Sequence, residues 1–338
     1  MLIVRVAGRE VSRASLREAR PLVQYLKRNQ MIVVTVRSNF DLLCTSHTLA
    51  GLFSLGEKIA IRTDDRINTP HVMRIDDGGM RMLVDLSDHS DEIDEDGLAW
   101  CTVYAKRNVE TISDPKIAPF GLNYNGRGTY SALRAALASG DLKRSIRLFR
   151  TPHWKSFERA PSVPADNVVL LQTRLWEANT CPGDEHINDE RIELVNTLKK
   201  HLGDRFRGGI IPTDASRNLN PWLLSNNPTT QGAYVAWTKS CKIAVYTRGL
   251  FGSIGFKLPE YLAGSKCVVS APITNLLPVA LQDGEQIRVY TSPEECVAHC
   301  DRLLSENSEA DRLAQAAWDY YRKNVEPTIH IRTLLGRA

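Results

Sequence analysis

"GFKLPEYLAGSKCVVS" (255–270) decides how the chain is read. A lysine, a proline and a glutamate open a short helical stretch that ends at Gly264, and an apolar, valine-containing run follows at once. A glycine at the stop and a short apolar run behind it read as a helix end leading into a buried strand. Lys257 and Glu260 therefore sit at the mouth of a helix packed beside a strand. In open α/β sheets ligands bind at the mouths of helices that follow strands.

The same alternation continues on both sides. "NVVLLQTR" (167–174) is a strand with a continuous apolar run, as expected when both faces are covered. "NDERIELVNTLKKHLGD" follows, with Asn188 as N-cap and Leu194, Val195, Leu198 and Leu202 at helical spacing. "RGGIIPT" is a strand, "TQGAYVAWTKS" a helix, and "KIAVYTR" (242–248) a strand. "IRVYT" is the last strand, Ser292 and Pro293 start the helix "PEECVAHCDRLLSE", and a further helical stretch covers 311–324. This order predicts a doubly wound parallel sheet over 167–304.

The first half reads as α/β with less regularity. "MLIVRVA", taken as the first strand of the fold, and "MIVVTVR" flank the helical "ASLREARPLVQYLKR". "KIAIRT", "MRMLVDLS", "AWCTVYAKR" and "KIAPFG" are further strands, and 126–150 is mostly helical. "ERAPSVPADN" (158–167) carries two prolines and breaks the periodicity, so the domain boundary falls there. The expected fold is α/β with two Rossmann-like domains facing across a cleft. An acceptor-side domain spans 1–160, a nucleotide-binding domain spans 161–325, and a tail over 326–338 packs back on the first domain.

Length and composition agree. A chain of 338 residues favours two domains, and 43% hydrophobic with 24% charged residues is ordinary for a globular protein with two cores. The net charge of +4 is too small to point by itself to nucleic acid. No apolar run approaches the ~20 residues of a membrane span, and the start lacks a signal-peptide pattern, so a reducing cytoplasm is expected. Seven dispersed cysteines with no C-x-x-C pair suggest neither a disulfide framework nor zinc, and Cys296 and Cys300 read as buried apolar residues. The glycine pair of "GRGTYS" (Gly126, Gly128) lacks a convincing preceding strand and a third glycine, so it reads as a turn and helix cap rather than a dinucleotide fingerprint. No G-x-x-x-x-G-K is present.

From 242 onward the order is a strand, the loop "TRGLFGSIGF", a helix headed by Lys257 and Glu260, and "AGSKCVVSAPI". This resembles the C-terminal domain of GT-B glycosyltransferases of the group 1 type. In that family a glycine-containing loop precedes a helix whose early glutamate holds the donor ribose, and a small residue, a glycine, two variable positions and an apolar pair follow. Ala263, Gly264, Cys267 and Val268 fill that pattern. "QDGEQIRVYTSPEECVAHCDRLL" and "LLQTRLWE" match the family's later strand–helix unit and its first strand, where an arginine reaches the donor phosphates. The resemblance covers about 165–325 and implies a sugar transferred from a nucleotide-activated donor, with no cofactor besides that co-substrate and no metal. It places Glu260 on the ribose and Arg174, Arg248 and Lys257 on the phosphates. Gly249, Ser253 and Leu258 complete the donor-contact set. Alternatives on the same fold are a nucleotide-sugar epimerase and a binding module without catalysis.

The chemistry is consistent with that assignment. A leaving nucleoside diphosphate gains negative charge in the transition state, and a helix N-terminus offers roughly 0.3–1 kcal/mol toward it. Arginine and lysine add charge-assisted hydrogen bonds. Many retaining members carry two glutamates eight positions apart, but Gly252 stands eight before Glu260, which favours inversion. Inversion needs a general base from the first domain. Asp88, in the acid-rich "DLSDHSDEIDED" (85–96), is the first candidate and His153 of "RTPHWK" the second. "DED" (94–96) resembles a metal motif of the other large glycosyltransferase fold but lies in a polar loop and is discounted. "LKRSIRLFRTPHWKSFER" (142–159) interleaves basic residues with Phe149, Trp154 and Phe157. It fits a phosphate-rich acceptor: a glycan or lipid-linked glycan at an anionic inner membrane face ahead of DNA, unless its aromatics simply pack inward.

Overall fold

The structure, a computed structural model, describes residues 31–129, 150–177, 186–227 and 230–337, the backbone of 4–6 and 9–11, and a few single positions between these blocks. Its first strands, β1 (Val4–Val6) and β2 (Arg9–Val11), pair antiparallel as a separate two-stranded ribbon. "MLIVRVA" is thus not a strand of the main sheet. The helix expected over 14–28, and most of that expected over 126–150, lie outside the described residues.

The first domain follows as β3 (Ile32–Val36), α1 (Ser46–Ser54), β4 (Ile59–Thr63), β5 (Val72–Asp76), β6 (Arg81–Asp85), α2 (Glu95–Trp100), β7 (Val103–Lys106) and β8 (Ile117–Pro119). Its sheet order is β4-β3-β5-β6-β7-β8. Strand β5 runs antiparallel to both neighbours while the outer pairs are parallel, so the sheet is mixed. "AWCTVYAKR" splits between the end of α2 and β7. The acid-rich stretch divides into structural roles: Asp85 is buried against Lys106 (2.9 Å) and the Tyr104 hydroxyl (2.8 Å), and Asp94 caps α2 through the Gly97 N–H.

The second domain comprises β9 (Asp166–Thr173), α3 (Ile187–Leu202), β10 (Phe206–Ile210), α4 (Gln231–Ser240), β11 (Cys241–Tyr246), α5 (Lys257–Ala263), β12 (Cys267–Ser270), β13 (Ile287–Val289), α6 (Pro293–Ser305) and α7 (Asn307–Tyr320). All pairs in its sheet, order β10-β9-β11-β12-β13, are parallel. The chain steps outward from β9 to β10 on one side and to β11 on the other, so β9/β11 is the topological switch point, where such sheets open a crevice at the strands' C-terminal ends. Strands β11 and β12 are buried on both faces between two apolar clusters. Ser292 accepts the Glu295 N–H and Pro293 opens α6, as their positions predict. Asn188 does not cap α3. It lies inside the first turn, where its amide exchanges two hydrogen bonds with the Trp176 backbone (2.9 Å each).

After α7 a wide turn over Tyr321–Val325 leads into α8 (Pro327–Leu334), which packs on α1 of the first domain. The approach is close: a Cβ on Gly51 would lie 2.2 Å from the Pro327 carbonyl oxygen. His330 of α8 meets His47 of α1 ring to ring through a 2.9 Å hydrogen bond. The domains also meet behind β7. The Arg107 guanidinium donates to the Ile254 carbonyl, Asn108 accepts the Ile254 N–H (3.0 Å), and the Leu276 N–H donates to Val109 (2.7 Å).

Candidate functional site

The crevice at β9/β11 is a cavity of about 330 Å³, within the ~300–1,000 Å³ range of small-molecule sites. Larger concavities exist among the described residues, including one of about 420 Å³ between the first turns of α3 and the start of α6, and two that are larger still. One of about 760 Å³ lies at the opposite edge of the sheet, by Asn167, Lys242 and Cys267 at the strands' starts. The other, about 730 Å³, lies between α1 and the C-terminal segment. Position at the switch point and the charge of its walls single out the crevice at β9/β11.

Four cations converge on it. Arg174 follows β9 and stacks on Trp176, its guanidinium carbon 4.2 Å from the ring centroid and its guanidinium making no hydrogen bond to any described residue. Arg191 of α3 is buried and donates to the Arg174 and Arg248 carbonyls (2.7 and 2.8 Å), tying together the chain ends of β9 and β11. Burial pushes its guanidinium down to about 10. Arg107 enters from the first domain, stacked 4.5 Å over Phe256 and 3.2 Å from Asp88. Lys257 is the fourth. Its ammonium is buried with no hydrogen-bond partner and sits 5.0 Å from the Tyr234 ring centroid. Burial pulls its pKa down, Glu260 opposes this, and Arg191 and Arg174 add to it.

Glu260 lies one turn further along α5, buried; burial raises its pKa, and Lys257 and the Tyr234 hydroxyl oppose the rise. No ion pair joins Lys257 to Glu260 among the described residues, so the two are not the exposed surface pair that i, i+3 spacing allows. The local sequence explains why both face inward. Residues 258–263 of α5 are all buried, so the helix has no water-facing side on which to turn them out. Gly264 stops the helix, and the left-handed residue of the stop is Ser265 (φ 52°).

The structure thus brings Asp88, Arg174, Arg248, Gly249, Ser253, Lys257 and Glu260 to one cavity. Three expectations change in detail. Arg248 is saturated by Asp184 (2.7 and 2.8 Å) and Glu190 (2.8 and 3.0 Å), so its guanidinium is committed to carboxylates. Leu258 is a core side chain, fully buried. His153 is not in the crevice: it caps a short turn through the Lys155 N–H and lines the concavity by α1. Seven residues also make α5 too short for a large macrodipole, which sums over aligned peptide units. Attraction for an anion comes from the side chains.

Arg107 and Arg191 were missed by sequence reading. The signal for Arg191 is present, since it falls on the apolar stripe of α3 with Leu194, Val195 and Leu198, where a charge is out of place unless used. Arg107 directly follows β7, at the strand's C-terminal end.

Residues 191–335 match the family model described as "Glycosyl transferase-like". That match covers the part of the chain from α3 to the end of α8, less than half of its length. No curated protein matches in sequence. Among solved structures, the C-terminal domain of a glycosyl transferase group 1 family protein from Francisella tularensis is 16% identical, with 50% of this chain and 96% of that one covered and a TM-score of 0.37. A glycosyltransferase from Rickettsia africae is 14% identical, covering 98% and 83%, TM-score 0.43. A putative UDP-N-acetylglucosamine 2-epimerase from Listeria monocytogenes is 11% identical, covering 95% and 76%, TM-score 0.42. These likenesses are too low to choose between the activities they name. The cavity and its charges carry the reading.

The remaining motifs resolve as structure. Gly126 and Gly128 are contact glycines against Trp154 and Ala50 rather than a phosphate turn. Trp154 and Phe157 are buried, so in the basic stretch these aromatics pack inward, and Phe149 lies outside the described residues. Among the described residues no helix is long and apolar enough to cross a membrane.

Proposed function

We propose that the chain transfers a sugar from a nucleotide-activated donor held in the crevice at β9/β11. The observation that carries this is the buried ammonium of Lys257, which makes no hydrogen bond or ion pair among the described residues, set beside the buried Glu260 and two arginines at a switch point. A buried cation that makes no hydrogen bond or ion pair is costly unless a ligand supplies them. A diphosphate does so, and it is also the group whose charge grows as the sugar leaves. Arg174 and Lys257 are placed to neutralise that charge with side chains alone, preorganised by Arg191. Glu260 accepts from ribose hydroxyls. Ser253 brings a hydroxyl and Gly249 a close backbone to the same wall, their own N–H groups being held within the loop.

Across the cavity stands Asp88, half-exposed and held by Arg107. It is the residue we assign to take the acceptor hydroxyl's proton in an inverting displacement: the acceptor oxygen bonds to the anomeric carbon, the bond to the diphosphate breaks, and the proton passes to the carboxylate. The acceptor is a glycan or lipid-linked glycan approaching from the first-domain side.

The test is incubation of the chain with a panel of nucleotide sugars, with and without glycan acceptors, reading released nucleoside diphosphate and the sugar's configuration. Acceptor-dependent release supports transfer. A changed nucleotide sugar in the absence of acceptor identifies an epimerase, and binding without either identifies a non-catalytic module.

A further inference from the structure

Asp41, Cys44 and His71 converge in the first domain, outside the donor crevice. One ligand atom from each lies within 4.8 Å of the other two. Two segments distant in sequence build the cluster. Asp41 and Cys44 belong to the tight turn between β3 and α1, and His71 precedes β5. A backbone hydrogen bond from the Asp41 N–H to the Pro70 carbonyl (2.8 Å) holds the segments together. The turn is ordered by one oxygen of Asp41, which accepts the Leu43 and Cys44 N–H groups (2.8 and 3.0 Å). The carboxylate also faces the Cys44 thiol, which burial first and Asp41 second push up to about 12. His71 offers an independent sign: its Nδ1 is buried with no hydrogen-bond partner. A buried ring nitrogen left unpaired is costly, and it is a lone pair suited to a metal.

We propose that Asp41, Cys44 and His71 form a binding site for a zinc-type divalent cation, with three protein ligands and a fourth position open. Thiolate with imidazole and carboxylate is a borderline-soft donor set that suits zinc and disfavours magnesium or calcium. Bond lengths of ~2.0–2.3 Å at tetrahedral angles place ligand atoms roughly 3.5 Å apart, so side-chain rotation of about an ångström closes the site. On binding, the Cys44 thiol gives its proton to the buffer as the metal–sulfur bond forms. Arg107 and Asp88, which line the donor crevice, act electrostatically on Cys44, so the cluster borders that wall. The proposal does not depend on the donor reading.

Chelator-treated full-length chain is titrated with cobalt(II) and then zinc(II). The expected result is one equivalent of cobalt with a thiolate-to-metal charge-transfer band, displaced by zinc, and a zinc-dependent rise in thermal midpoint. Cys44→Ser removes the band, and His71→Ala weakens binding at least about tenfold. Asp41→Asn keeps the turn's acceptor oxygen and serves if His71→Ala does not fold; it too weakens binding. Absence of the band, its persistence in Cys44→Ser, or unchanged affinity in both other variants overturns the site.

Discussion

Replacing Lys257 with methionine keeps the aliphatic stem and removes only the charge. The ammonium has no hydrogen-bond partner and no ion pair in the ligand-free chain, and burial pulls its pKa down. Its removal gives up the contact with the Tyr234 ring and the attraction of Glu260 but no hydrogen bond or ion pair among the described residues, and it relieves a desolvated charge. Ligand-free stability should stay the same or rise. Nucleotide binding should move the other way. A hydrogen bond to a charged partner is worth ~1.5–3 kcal/mol, or roughly 10–150-fold in Kd. Paired urea unfolding and calorimetric titration with a nucleoside diphosphate read both quantities on one preparation. Opposite signs are expected. A variant that binds nucleotide as well as the parent, or that loses stability while keeping affinity, refutes the assignment of Lys257 to an anionic ligand.

Further outcomes follow from the same geometry. An anion against Lys257 raises its depressed pKa, so binding takes up a proton and affinity weakens as pH rises above neutrality; buffers of different ionisation enthalpy measure the proton, and no uptake contradicts the contact. His330 has a pKa near 4 and His47 is well below its usual 6.5, both lowered by burial, so stability is full above pH 6.5 and falls toward pH 4 by about 1.4 kcal/mol per pH unit per histidine; urea midpoints at pH 7 and 5 check this, and equal values reject it. Gly51→Ala drives a methyl into the Pro327 carbonyl and should cost ~1–3 kcal/mol or more, whereas Gly232→Ala, with open space at its Cβ, should be neutral or stabilising in calorimetry. Asp88→Asn should keep donor affinity and abolish transfer, and retained turnover removes Asp88 from the chemistry.

The second domain was legible because both periods in it are clean. Strands β9, β11 and β12 each carry a continuous apolar run (168–171, 243–246 and 267–269), and the glycine, proline and serine punctuation around α5 and α6 fell where backbone geometry demands. The first domain was less so. Strand β5 was overlooked because "VMRID" is short and breaks its apolar residues with two charges, and a mixed sheet does not announce its antiparallel member. The site was legible where function concentrates charge in a short segment, as in 257–260. It was not legible where the charge belongs to the other side of the fold. Arg107 reaches the crevice only because the domains are docked through Ile254 and Asn108, a contact between residues 146 apart in sequence. Arg248 misled for the same reason: Asp184 and Glu190, which occupy it, are distant in sequence.

The most direct test is hydrogen exchange of the full chain with and without saturating nucleoside diphosphate. Slowed exchange confined to the segments around Arg174, 246–262 and the first turns of α3 is the predicted footprint. Protection elsewhere, or none at concentrations where a nucleotide sugar is turned over, would remove the crevice at β9/β11 as the donor site.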